Sequence, residues 1–350
     1  VWNAPVGTSG KTRPIVQTGN YGEFIGQVVL NIDSQTKQVL SYDARNVSRT
    51  EASDSSLTST YPRVKKVDDI TKAALAYADK IGSTPVGKVT ADITTSFTGG
   101  TYGASGYAGT TTRDNRAGQS TLGNLVADSL VSSLKDPSAG GAQIGVVNPG
   151  GLRAELYRGT DGTVTYAQAN AVLPFVNNLW TTSLTGAQFV QVLEEQWQTD
   201  DKGQVPSRPY LQLGLSSNVS YTYDASAAQG KHITGVWIDG KAIDPAASYR
   251  VGSFSFLLQG GDNFRTFATG TGTRDSGLID RDAWISYISK NSPLSPAFSS
   301  RKAEVKGAPT AAVKPGDTVS FTVGGIDLTS LGAPLNTTAK VAITDSTVTI

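Results

Sequence analysis

The sequence predicts a mixed α/β (α+β) protein, with mixed sheets and flanking helices at its centre and a β segment at either end. Three observations carry this expectation. Residues 1–62 hold short apolar runs bounded by turn residues, as strands do. Residues 86–305 interleave helical repeats with strand runs. Residues 306–350 return to β character, with strict alternation over Thr318–Val323.

In chain order, Arg13–Gly19 predicts a strand closed by glycine, and Ile25–Asp33 and Val39–Tyr42 predict a hairpin. Three strands alone leave an open edge and a naked face, so this piece is expected to belong to a larger sheet. The Ser- and Thr-rich stretch 43–62 predicts a loop. Val67, Ile70, Ala74, Ala78 and Ile81 then fall at helical spacing and Gly82 stops the run, which predicts a linker helix over 63–85.

In the central region, Leu122, Leu125, Val126, Ser129, Leu130 and Leu134 define one helical face. Ile144–Asn148 is a strand entering a glycine turn. Thr185 is the expected cap of a helix lined by Phe189, Val190, Leu193 and Trp197. Val219–Tyr223 and Val236–Asp239 read as strands, with Asp239-Gly240 as a hairpin turn. Asp280 is the expected cap of a helix ending near Asn291. Gly307-Ala308-Pro309 then opens a linker-like stretch, Lys314–Asp317 is a turn, and Leu335–Ile350 continues as β. The stretch 306–350 looks like part of an immunoglobulin-like module.

Composition narrows the function. At 350 residues the chain is long enough for two or three units, and 38% hydrophobic residues are enough for a packed core. A net charge of +1 offers no basic field to nucleic acid. No apolar run approaches a membrane span. With no cysteine there are neither disulfides nor thiolate metal sites. The chain starts at Val1, lacks methionine, and is rich in Gly, Ser, Thr and Ala with little Lys. Those features predict a processed or fragmentary product of an exported bacterial protein, secreted or cell-wall associated. A single histidine excludes a dinuclear metal centre within this chain, because such centres gather several imidazoles and carboxylates. That residue, His232, reads as a surface hairpin histidine and not as a ligand.

Four segments could carry chemistry. In Asn148-Pro149-Gly150-Gly151-Leu152-Arg153, a strand ends in a polar side chain, two glycines free the backbone and an arginine follows. Such a turn lets main-chain N–H groups approach an anion that the arginine can grip. Arg113 and Arg116 precede Gly123-Asn124-Leu125 at a helix start, where the dipole also favours an anion. Pro174-Phe175-Val176-Asn177 and Phe256 with Gly260-Gly261-Asp262 each expose a phenylalanine in a loop. Two such rings can sandwich a nucleobase, and Asp262 can accept from ribose hydroxyls.

In this order and spacing, the four segments resemble the C-terminal domain of the 5'-nucleotidases. Pro14–Gly22 also looks like the closing strands of that family's metallophosphoesterase domain. The resemblance implies four parts: 1–62 as the end of the metallophosphoesterase domain, 63–85 as the linker helix, 86–305 as the substrate-binding domain, and 306–350 as the appended β module. It implies that Phe175 and Phe256 stack the base and Asp262 binds ribose. Arg116, Arg153 and Arg113 would hold phosphate, and Asn148 and Asn177 would line the pocket beside Gly150, Gly151 and Gly261. Pro149 departs from the small residue expected there. The resemblance further implies no cofactor in this chain, and two divalent metal ions (Zn, Mn or similar) in the parent protein. The expected partners are a nucleotide or nucleoside and the chain's own N-terminal catalytic fragment. The expected function is the substrate-binding part of a secreted phosphohydrolase. The alternative is a non-catalytic cell-surface nucleotide-binding or structural protein.

Overall fold

A computed structural model describes residues 1–110, 112–309, 313–314 and 316–338. The chain divides into two units, Val1–Tyr77 and Ala78–Ile350.

In the first unit, β1 (Trp2–Pro5) pairs antiparallel with β2 (Thr12–Ile15), and β3 (Phe24–Ile32) with β4 (Val39–Ser48). The β3–β4 hairpin is the one the apolar runs predict. Asp33 organises its turn by accepting from the Gln35 and Thr36 amides at 2.9 and 2.7 Å. The loop expected over 43–62 is corrected. β4 runs on to Ser48, and a short helix, α1 (Asp54–Thr60), follows. Ser53 caps it by accepting from the Ser56 amide at 3.3 Å, so the serine cluster serves a helix start. Next comes α2 (Pro62–Gly82), opening on a proline that the first helical turn tolerates. All nine residues of β3 are exposed, and so are Val67, Ile70 and Leu75 on α2.

The second unit begins with β5 (Pro85–Lys88), β6 (Thr101–Gly103) and β7 (Gly106–Ala108). Then follow α3 (Thr121–Leu134), β8 (Ile144–Val147), β9 (Thr163–Thr165), α4 (Tyr166–Val172), β10 (Asn178–Thr185) and α5 (Gly186–Glu194). The next strands are β11 (Gly214–Leu215), β12 (Val219–Tyr223), β13 (Ile233–Ile238), β14 (Lys241–Ala242) and β15 (Ser248–Phe254). The unit closes with α6 (Ser255–Leu258), β16 (Thr271–Ile279), α7 (Asp280–Asn291), β17 (Lys302–Lys306) and β18 (Thr322–Gly324).

Five strands form the central sheet in the order β11-β8-β15-β10-β16. It is mixed: β8 and β15 run parallel, and the other pairs are antiparallel. β8 is buried along its whole length, which suits its unbroken apolar sequence. Its alternation feeds two cores. Val147 faces α3, α4 and α7 through Leu122, Val126, Val172 and Trp284. Ile144 and Val146 face α5 and the second sheet through Phe189, Leu193, Tyr221 and Val236. Gly145 lets α3 lie close, since a Cβ there would sit 2.0 Å from the Ala127 carbonyl oxygen. The second sheet has the order β14-β13-β12-β17-β18.

The ends of several helices differ from expectation. Thr185 caps α5 through a reciprocal pair with Gln188, at 3.2 and 2.8 Å. Trp197 lies beyond that helix, which stops at Glu194. Asp280 is the first residue of α7 and not its cap; Ile279 holds the cap position. At the C-terminal end, the alternation predicted over Thr318–Val323 becomes a strand only at Thr322–Gly324, which pairs with β17. Leu328 and Ala333 bury against Phe97 and Tyr107. The described residues of 306–338 thus fold onto the preceding domain. Residues 339–350 of the expected β module lie outside the described residues.

The largest correction concerns His232. It is 4% exposed, not a surface residue. Its Nδ1 lies 3.0 Å from Glu194 Oε2, and its ring stacks on Trp197 at 4.1 Å between centroids with planes 2° apart. Glu194 Oε1 also accepts from the Ile233 amide at 2.6 Å. A carboxylate only accepts, so Nδ1 carries the proton.

Candidate functional site

The topology of the central sheet brings three of the motif segments together. β8 and β15 are parallel neighbours, so their C-terminal ends share one edge. β10 is antiparallel to β15, so its N-terminal end lies at that edge too. Asn148 follows β8, Phe256 and Asp262 follow β15, and Phe175 and Asn177 precede β10. Ligands of open α/β sheets favour the carboxyl ends of parallel strands. The fourth segment arrives along the edge strand: the Gln212 amide donates to the Arg116 carbonyl at 2.8 Å, just before β11.

These segments enclose a cavity of about 360 Å³, the size of a small-molecule site. Arg116, Asn148, Gly150, Gly151, Phe175, Asn177, Phe256 and Asp262 all line it. Phe175 is 56% exposed and Phe256 47%, whereas Phe189, Phe254, Phe264 and Phe267 are at most 1% exposed. Two large rings left in solvent at one cavity mark a surface made for contact.

Polar groups line the same cavity as the rings. Asn148 is buried, and its Nδ2 donates to Asp262 Oδ2 at 2.7 Å. Asp262 sits at φ 52°, ψ 33°, the left-handed region that a short polar side chain enters most readily. A Cβ on Gly150 would lie 3.1 Å from Arg116 Nη1 and 3.4 Å from Asp262 Oδ2, so the missing side chain leaves room beside both groups. Gly261 packs under Phe256, where a Cβ would lie 2.6 Å from the ring. Asn177 is held from below, its Nδ2 donating to Asp280 Oδ2 at 2.9 Å. Burial pushes the Asp280 carboxyl above its ordinary pKa, and the bond from Asn177 opposes that shift.

The arginines separate. Arg116 reaches the cavity with its guanidinium on Asp114 at 3.0 Å. Arg153 lies outside the lining, 5.7 Å from the centroid of the Phe175 ring, where it supports that ring by a cation–π contact. Arg113 is also outside the lining, its Nε donating to the buried Glu155 carboxylate at 2.8 Å. Glu155 in turn accepts from the Thr95 hydroxyl at 2.6 Å and from the Thr95 amide.

Four residues at or beneath the site escape sequence reasoning: Phe254, which lines the floor, and Asp114, Glu155 and Asp280, which orient others. Only Asp114 carries a local signal, standing between two arginines. A larger open groove of about 880 Å³ lies among α3, α7 and the β13–β14 turn, but none of the motif residues lines it.

Fold and cavity together define a mixed α/β domain with a paired-aromatic pocket at its sheet edge. The family model for the 5'-nucleotidase C-terminal domain matches residues 82–269, and the chain belongs to that family. Among its relatives, a 5'-nucleotidase-related protein of Glossina morsitans morsitans is 26% identical over 86% of this chain and 50% of its own length. Protein UshA of Salmonella pullorum is 33% identical over 47% of this chain and 27% of its own length. The solved structure of the 5'-nucleotidase precursor from Thermus thermophilus superposes with a TM-score of 0.51 at 22% identity, over 84% of this chain and 52% of that one. The chain therefore spans about half the length, or less, of the relatives it matches.

Proposed function

We propose that this chain is the nucleotide-holding part of a 5'-nucleotidase-type phosphohydrolase, exported from a bacterial cell. The observation that carries the reading is the exposed pair Phe175 and Phe256 at one cavity with Asp262, Asn148 and Arg116. The rings stack the base, Asp262 accepts from the ribose hydroxyls, and Arg116 faces the phosphate, with Arg113 and Arg153 contributing positive charge at its flank. Cleavage belongs to a metal-bearing domain of the longer parent protein, and the exposed β3–β4 hairpin completes a sheet of that domain. The residues present do not fit a dinuclear centre. His232 is committed to Glu194, and among the described residues no three His, Asp or Glu side chains are grouped to hold a metal ion.

Two measurements test the reading. Calorimetry with adenosine and AMP should show Phe256→Ala binding more weakly by about 1–3 kcal/mol, the worth of one stacked base; an affinity equal to the parent's removes the stacking role. The intact parent protein, supplied with Mn²⁺ or Zn²⁺, should release phosphate from AMP, and its failure on AMP, a nucleotide sugar and a cyclic nucleotide alike would discard the catalytic half.

A further inference from the structure

Residues 328–333 lie well past the stretch that matches the family model, yet they reach the segment that bears the arginines. Ser330 is fully buried. Its hydroxyl accepts from the Thr121 amide at 3.0 Å and donates to the Thr94 carbonyl at 3.1 Å. Thr94 and Thr121 flank the stretch 95–120, so one side chain ties both of its ends. The neighbours of Ser330 repeat the tie. The Leu331 amide donates to Thr94 Oγ1 at 2.9 Å, the Thr329 carbonyl accepts from the Phe97 amide at 3.0 Å, and the Thr329 and Ser96 hydroxyls lie 2.6 Å apart.

The tied segment 94–97 in turn holds the arginine turn. The Ser96 carbonyl accepts from the Asn115 amide at 2.9 Å, and Thr95 shares the Glu155 carboxylate with Arg113. A hydrogen-bonded path therefore runs from the C-terminal segment to the backbone beside Arg116. A buried hydroxyl with two partners is costly to disturb, so the path is stiff.

We propose that Leu328–Ala333 is a positioning strap that sets Arg116 for the phosphate of a bound nucleotide. The proposal rests on the phosphate reading above. The strap acts on the arginine turn and leaves the aromatic pair untouched, so it governs AMP against adenosine and not the base.

The test is calorimetry on the 350-residue chain with AMP and adenosine, using Ser330→Ala, Thr329→Val and the reference variant Arg116→Ala. The parent should prefer AMP, and Arg116→Ala should erase that preference. Ser330→Ala and Thr329→Val should each cut the preference about five-fold, the worth of one neutral hydrogen bond, with adenosine affinity unchanged. An unchanged preference, or an equal loss of both ligands, overturns the strap. Thr329→Val keeps the side-chain volume and decides the matter if Ser330→Ala does not fold. A parent without the preference, or one whose preference survives Arg116→Ala, overturns the phosphate reading itself and the strap with it.

Discussion

Asp262→Asn is expected to weaken adenosine binding by about 3 kcal/mol, roughly a hundred-fold, and to leave the fold intact. The backbone should not move, because Asn tolerates the left-handed conformation that residue 262 adopts. The amide oxygen can still accept from Asn148 Nδ2, which now meets Asp262 Oδ2 at 2.7 Å. What disappears is a charged acceptor able to take both hydroxyls of a vicinal diol. Calorimetry with adenosine and 2',3'-dideoxyadenosine reads this directly. The parent should favour adenosine, and the variant should bind the two ligands alike. A parent that binds them equally would dismiss Asp262 as the ribose contact.

Glu194→Ala should produce the largest loss of stability, about 3 kcal/mol. The carboxylate serves two donors, the buried His232 Nδ1 at 3.0 Å and the half-buried Ile233 amide at 2.6 Å. Removing it leaves both unpaired between α5 and β13, and the buried imidazole loses the partner it faces. Glu194→Gln keeps an acceptor for one of them and should cost less. Urea denaturation decides, provided the slope of the transition is unchanged. If the alanine variant unfolds at the parent's midpoint, the pair contributes nothing to stability.

Local signals are readable in the sequence and distant ones are not. α3 and α5 are legible because their apolar positions recur at helical spacing and because Thr185 and Gln188 cap within four residues of each other. The turn after β8 is legible because its asparagine, glycines and arginine are contiguous. His232 is not, because its partners, Glu194 and Trp197, lie more than thirty residues away, and sequence spacing carries no trace of a contact made across α5 and β13. The 43–62 stretch fails for another reason: serine favours caps and loops alike, and only the paired strand decides between them. At the site, Phe256, expected in a loop, instead lies in the short helix α6, and only the Gly260-Gly261 pair beyond it marks the segment. Phe175 and Asp262 can be chosen because each stands beside proline or glycine. Phe254 and Asp280 cannot, since nothing in a strand's last residue or a helix's first marks it as a floor or an anchor. Arg113 and Arg153 show what residue type leaves out: both are arginines near the motif, yet Arg113 also pairs with Glu155 and Arg153 lies over the Phe175 ring, contacts that no spacing announces.

The loops around the cavity hold Val176 at φ 59°, Asp262 at φ 52° and Asn263 at φ 62°. For a β-branched residue such as Val176 that conformation is strongly disfavoured, so the neighbouring structure must enforce it. The backbone that carries the Phe175 ring is thereby held in place. Loops held in this way should need little further ordering when a ligand enters. Association at this pocket should then resemble a key entering a cut lock, with a small entropic penalty and a rate set by diffusion and not by loop rearrangement.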